Sequence, residues 1–95
     1  MFSLIASHTE YSGTGSPQKY YDYVGSADKF ASELGDINIT PLAEMRLIAS
    51  KLRGNAKMWW LNHKNTYPIT HKKRIKTWDQ LKDALLKHYI PPEYI

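Results

Sequence analysis

An all-α fold, a small bundle of four or five helices with an extended N-terminal arm, follows from three observations on this 95-residue chain. Helix-start signals recur at Ser16-Pro17, at Thr40-Pro41 and at Thr77-Trp78-Asp79-Gln80. Apolar residues behind them return at three- and four-residue spacing. No segment alternates apolar and polar side chains as a half-buried strand would. These signals divide the chain into an arm (1–15), a helical unit (16–90) and a Pro-rich tail (91–95).

The arm carries Ser, Thr and the glycines Gly13 and Gly15 between scattered apolar positions. Leu4 to Tyr11 is expected to lie extended on the helices, as a core cover or as a swapped or partner-binding arm. Behind Ser16, the residues Tyr20, Tyr23, Val24, Ala27, Phe30, Ala31 and Leu34 form one stripe, Gly25 sits opposite, and Gly35 ends the helix. Leu42, Met45, Ile48, Ala49 and Leu52 mark a second helix, expected to run to Arg53. Gly54-Asn55 then breaks the chain, with Gly54 left-handed and Asn55 as the cap of a third helix over about residues 56–64. Ala56 allows close approach at this corner, and Trp59 and Trp60 bring the largest apolar surfaces. Residues 65–76 read as a basic loop. In the last helix Thr77 and Gln80 fit a capping box, with Trp78, Leu81, Leu85 and His88 or Tyr89 inward. Pro91-Pro92 stops it.

Composition excludes several classes of function. Without cysteine there are no disulfides, zinc knuckles or thiol chemistry. Apolar runs are far shorter than a membrane span, and the N-terminus lacks the pattern of a signal peptide, so a soluble cytoplasmic protein without a membrane partner is expected. His8, His63, His71 and His88 match no ligand spacing, so neither metal nor cofactor is expected. Ser, Asp and His occur without a nucleophile motif, which points away from an enzyme. The net charge of +4 conceals a segregation: residues 1–44 carry −4, residues 45–78 carry nine Lys/Arg and no acid, and residues 79–95 carry −1.

The corner Leu52-x-Gly54-x-Ala56-x-x-Trp59-Trp60 resembles a signature of the Gag polyprotein of gypsy-class LTR retrotransposons. Tyr11-Ser12-Gly13 is similar to the aromatic-x-Gly that precedes the first helix there. Thr77-Trp78-x-x-Leu81 and Tyr89-x-Pro91-Pro92-Glu93-Tyr94 resemble its closing motif. The likeness spans about residues 10–94 and implies a retroviral-type capsid amino-terminal lobe, related to the synaptic protein Arc. It further implies a non-enzymatic module whose lobes meet in rings, within shells that package RNA. The expectation is an excised lobe or a short Gag-derived protein, since no second lobe or Cys-His knuckle follows.

Three residue sets follow. The structural core is expected to include Trp59, Trp60, Trp78, Leu52, Gly54, Ala56, Phe30, Leu81 and Leu85, with either Trp59→Ala or Trp60→Ala abolishing folding. Lys72, Lys73, Arg74 and Lys76 are candidates for RNA phosphates or an acidic partner. Asp22, Asp28 and Glu33 against Lys51, Arg53 and Lys57 are candidate self-association charges. The expected partners are the chain itself and intact Gag, whose particles it could disturb, with RNA contact weak. The alternatives are a small basic RNA-binding domain and, by the Arc likeness alone, a peptide-binding adaptor.

Overall fold

A computed structural model describes residues 9–94 of the chain; the first part of the arm, with Leu4 and His8, falls outside the described residues. Four α-helices appear: α1 (Pro17–Leu34), α2 (Pro41–Ala49), α3 (Gly54–Thr66) and α4 (Trp78–Tyr89). Short 3₁₀ turns follow α1 (Gly35–Ile37) and α4 (Pro92–Tyr94). The described residues contain no strand, so the class is all-α.

Helices α1, α2 and α4 pack pairwise around the apolar stripes read from sequence. Tyr20, Tyr23, Ala27, Phe30 and Leu34 come from α1, Met45, Ile48 and Ala49 from α2, and Trp78, Leu81 and Leu85 from α4, all buried. The polar ends of the buried aromatics are satisfied, as burial requires. The Tyr23 hydroxyl donates to the Ile48 carbonyl (2.9 Å), and the Tyr20 hydroxyl donates to that of Lys82 (2.9 Å). Burial pushes both phenols above their ordinary pKa, so they stay neutral donors.

Tyr11 joins this core from the arm. Its ring stacks on Tyr23 (5.5 Å between centroids) and meets Tyr20 and Tyr89 edge-on. Burial, then Tyr89, pushes its hydroxyl pKa up to about 12. Its backbone pairs with the corner: Tyr11 N–H donates to the Lys51 carbonyl (3.1 Å), and Arg53 N–H donates to the Tyr11 carbonyl (2.8 Å).

That pairing corrects the expected corner. Helix α2 ends at Ala49, not near Arg53, because the backbone at 51–53 bonds to the arm and turns Leu52 into the core. Asn55 is no cap either. Helix α3 starts earlier and ends later than expected, and Arg53 holds its N-cap position without a side-chain bond. The arm substitutes: the Ser12 carbonyl accepts from Ala56 N–H (2.9 Å), satisfying a first-turn donor that a polar cap would otherwise take. Gly54 is left-handed as expected (φ 50°).

Other boundaries shift for local reasons. Gly35 stays right-handed (φ −58°) and leads into the 3₁₀ turn; the left-handed residue is Asn38 (φ 51°), a type whose short polar side chain tolerates that region. Ser16 occupies the cap of α1 without a side-chain bond. Thr77 Oγ1 accepts from Gln80 N–H, while Gln80 Oε1 reaches one residue beyond the cap to accept from Lys76 N–H. On α4, Tyr89 is half-buried and His88 exposed.

Trp59 is the largest departure. Ala56 and Trp60 are buried, but Trp59, one step round the helix, is only half-buried. It lies against Trp60, His63 and His88 at the margin of the core. The paired indoles therefore have different environments, and only Trp60 is sealed.

Candidate interaction surfaces

Helical phase builds a concave feature. On α3, Lys57, Trp60, Leu61 and Lys64 follow at i, i+3, i+4 and i+7, so they share one face. Arg46 and Ala49 of α2, with Ser50 just beyond its end, face them, and Arg74 closes the site from the loop after α3. The result is a groove of about 420 Å³ with Trp60 in its wall, bordered by four cations and no acid. Lys64 Nζ and Arg74 Cζ each stand 5.8 Å from the centroid of the Trp60 ring. Sequence reasoning placed Lys57 and Arg74 in separate sets and missed Arg46 and Lys64. The spacing of Lys57 and Lys64 about Trp60 was the available signal; nothing local linked them to Arg46.

The loop over 67–77 is tied to α3 by Ile75 N–H, which donates to His63 Nε2 (3.0 Å). Within the loop, Arg74 Nη1 donates to the Tyr67 carbonyl (3.2 Å). His63 lies between Trp60 and Tyr67 (5.6 and 5.1 Å between centroids). Burial first, and the Arg74 guanidinium second, lower its pKa from the ordinary value. Lys72 and Lys73 point outward from this loop, whereas Arg74 and Lys76 are half-buried. The candidate basic set is thus divided: Arg74 faces the groove, and Lys72 and Lys73 are exposed.

The candidate self-association charges also divide. Asp28 is engaged within the chain, accepting from Trp78 Nε1–H (2.7 Å) and pairing with Lys82 Nζ (3.2 Å). Arg53 pairs with Glu10 (2.9 Å). Asp22 is exposed and accepts from Gln18 Nε2 (2.9 Å); Lys57 is exposed at the groove, and Glu33 and Lys51 are half-buried. Asp79 and Asp83 border a second cleft, between α1 and α4, whose apolar lining is Tyr20, Tyr21, Val24 and Leu86. The two depressions share no residue. The outer face of α3 bears Asn55, Met58, Asn62 and Asn65, with Met58 65% exposed.

Among the described residues, no group of three or more His, Asp or Glu side chains could hold a metal, and no helix is long and apolar enough to cross a membrane.

Over residues 6–90 the chain matches the family model for the N-terminal capsid-like domain of the retrotransposon-derived protein PEG10. The chain belongs to this family. No curated protein and no solved structure matches it significantly. The family consists of capsid-like, Gag-derived domains and is structural rather than catalytic. In this capsid-like domain the three motifs distant in sequence meet in space. Tyr11 bridges Leu52, Ser12 caps α3 at Ala56, and Gly13 lies under Tyr89, so close that a Cβ there would be 2.6 Å from that ring. Trp78 completes the junction edge-on to Tyr23 (5.9 Å).

Proposed function

We propose that this capsid-like lobe is a non-catalytic structural module that associates with copies of itself and with intact Gag, in the cytoplasm, and that as a free chain it interferes with Gag particles. The observation supporting this reading is the separation of charge. Acids Asp22, Asp79 and Asp83 stand on α1 and α4, while the acid-free stretch over 45–78 presents Lys57, Lys72 and Lys73. Opposite charges on different faces of one subunit favour head-to-tail contact, which closes into a ring when the rotation permits. The uncharged outer face of α3, with Met58 and Leu61 exposed, adds apolar area to such a contact.

Sedimentation velocity over a range of protein and salt concentrations tests this. Oligomers that grow with protein concentration and weaken with salt are expected. Asp79→Lys with Asp83→Lys should shift the chain toward monomer at only a modest cost in melting temperature, since these acids pair with Lys82 and Lys87 on the helix surface. A monomer at every concentration would overturn the reading. The exposed lysines of the 67–77 loop favour a second reading, weak binding of RNA phosphates. Its mark is RNA affinity that falls steeply with salt and drops on Lys72→Gln with Lys73→Gln.

A further inference from the structure

Four like charges converge on the Trp60 groove, and none has an acidic partner. Among the described residues, Arg46, Lys57, Lys64 and Arg74 take part in no ion pair. Lys64 and Arg74 both lie over one indole, which keeps the two like charges near each other. Arg74 Nε is buried and has no hydrogen-bond partner among the described residues. A concave site of this size, apolar in its wall through Ala49, Leu52 and Trp60 and ringed by convergent donors, suits a small molecule.

We propose that the groove binds a compact oligophosphate, a small molecule carrying several negative charges on adjacent phosphates. This goes beyond the assembly reading and does not depend on it. The donors approach from three segments, α2, α3 and the loop, and a tetrahedral phosphate presents oxygens in all those directions. A planar carboxylate accepts chiefly in its plane. Two of the four donors are guanidinium forks, which match phosphate oxygens in pairs. A nucleic-acid strand fits less well. The cations surround one cavity rather than forming a track, and Trp60, 6% exposed, offers no free face for a base. A bound oligophosphate would join α2, α3 and the loop and so stabilise the native state.

The test uses the full 95-residue chain. Inorganic tripolyphosphate is titrated by calorimetry, with the indole N–H signals followed by NMR, beside parallel titrations of citrate and a single-stranded RNA oligomer. The expected result is saturable one-to-one binding that shifts the Trp60 signal and raises Tm, with citrate at least about tenfold weaker. Arg46→Gln and Lys57→Gln should each weaken tripolyphosphate about tenfold. Both residues are exposed, so these variants should melt as the parent does. Lys72→Gln with Lys73→Gln should leave binding unchanged. Non-saturable binding, citrate equal to tripolyphosphate, or an equal loss in the Lys72/Lys73 variant would each overturn the proposal. So would RNA binding tighter than tripolyphosphate and insensitive to Lys57→Gln.

Discussion

Acidification should loosen this domain through His63. Its Nε2 accepts the Ile75 N–H at 3.0 Å, so the native ring is neutral with its proton on Nδ1. A second proton turns Nε2 into a donor facing another donor, and Ile75, buried, loses its backbone partner. An unsatisfied buried N–H costs about 1–3 kcal/mol. The ring is partly solvated, so the low end, about 1 kcal/mol, is expected. The direction follows from linkage. The native pKa lies below the ordinary value of the unfolded chain, about 6.5, because burial and Arg74 oppose the charge. By about pH 8 neither state holds the proton, and stability is complete. Below about pH 6.5 the unfolded state takes it first, so stability falls until the native pKa is passed and then levels off. Urea denaturation between pH 8 and 5 measures this. His63→Gln keeps an acceptor without a titrating group. It should lie somewhat below the parent at pH 8, having lost the ring contacts with Trp60 and Tyr67, and lack the component of the decline assigned to His63, worth about 4–8 °C in Tm for a domain of this size. Identical profiles for parent and variant would refute the reasoning.

Trp60→Ala should remove about 3–5 kcal/mol, a large share of the about 5–14 kcal/mol that a domain of this length holds. Trp59→Ala should cost about 1–2 kcal/mol and still fold, because that ring is half-buried; equal losses in urea titrations would contradict the assigned difference. Gly13→Ala meets both a left-handed backbone (φ 80°) and the Tyr89 ring, so about 2–3 kcal/mol is expected. Gly25→Ala, with nothing within 4 Å on an exposed face of α1, should instead stabilise by about 0.5–1 kcal/mol, both read from thermal melts.

Much of the fold was legible because it rests on local period. The stripes of α1 and α4 and the inward placement of Leu52 and Ala56 follow from spacing alone. The ends of the helices were less legible, for a common reason. At α2 and α3 the termini are set by a partner distant in sequence, the Tyr11–Ser12 backbone, which takes the bonds at 51–53 and caps Ala56. A reader limited to neighbouring residues assigns those roles to Gly54 and Asn55. Trp59 failed differently. Adjacent tryptophans on a helix are about 100° apart, so one core direction cannot bury both; spacing named the pair, and only packing could choose between them.

The candidate surface was legible in composition but not in geometry. An acid-free stretch from residue 45 to 78 requires its cations to be settled by something other than neighbouring carboxylates. The fold supplies several substitutes. Arg53 turns back on the Ser50 and Leu52 carbonyls and reaches Glu10 in the arm, Arg74 uses the Tyr67 carbonyl, and Lys64 lies over Trp60. The side chains of Arg46 and Lys57 have no hydrogen bond or ion pair to a described residue, and both border the same groove. Surface lysines and arginines left this way usually spread apart into water. Here α2, α3 and the returning loop set them around one groove, with part of the site desolvated by Trp60. That raises the cost of leaving their charge uncompensated and makes an anion from outside the chain the most economical neutraliser.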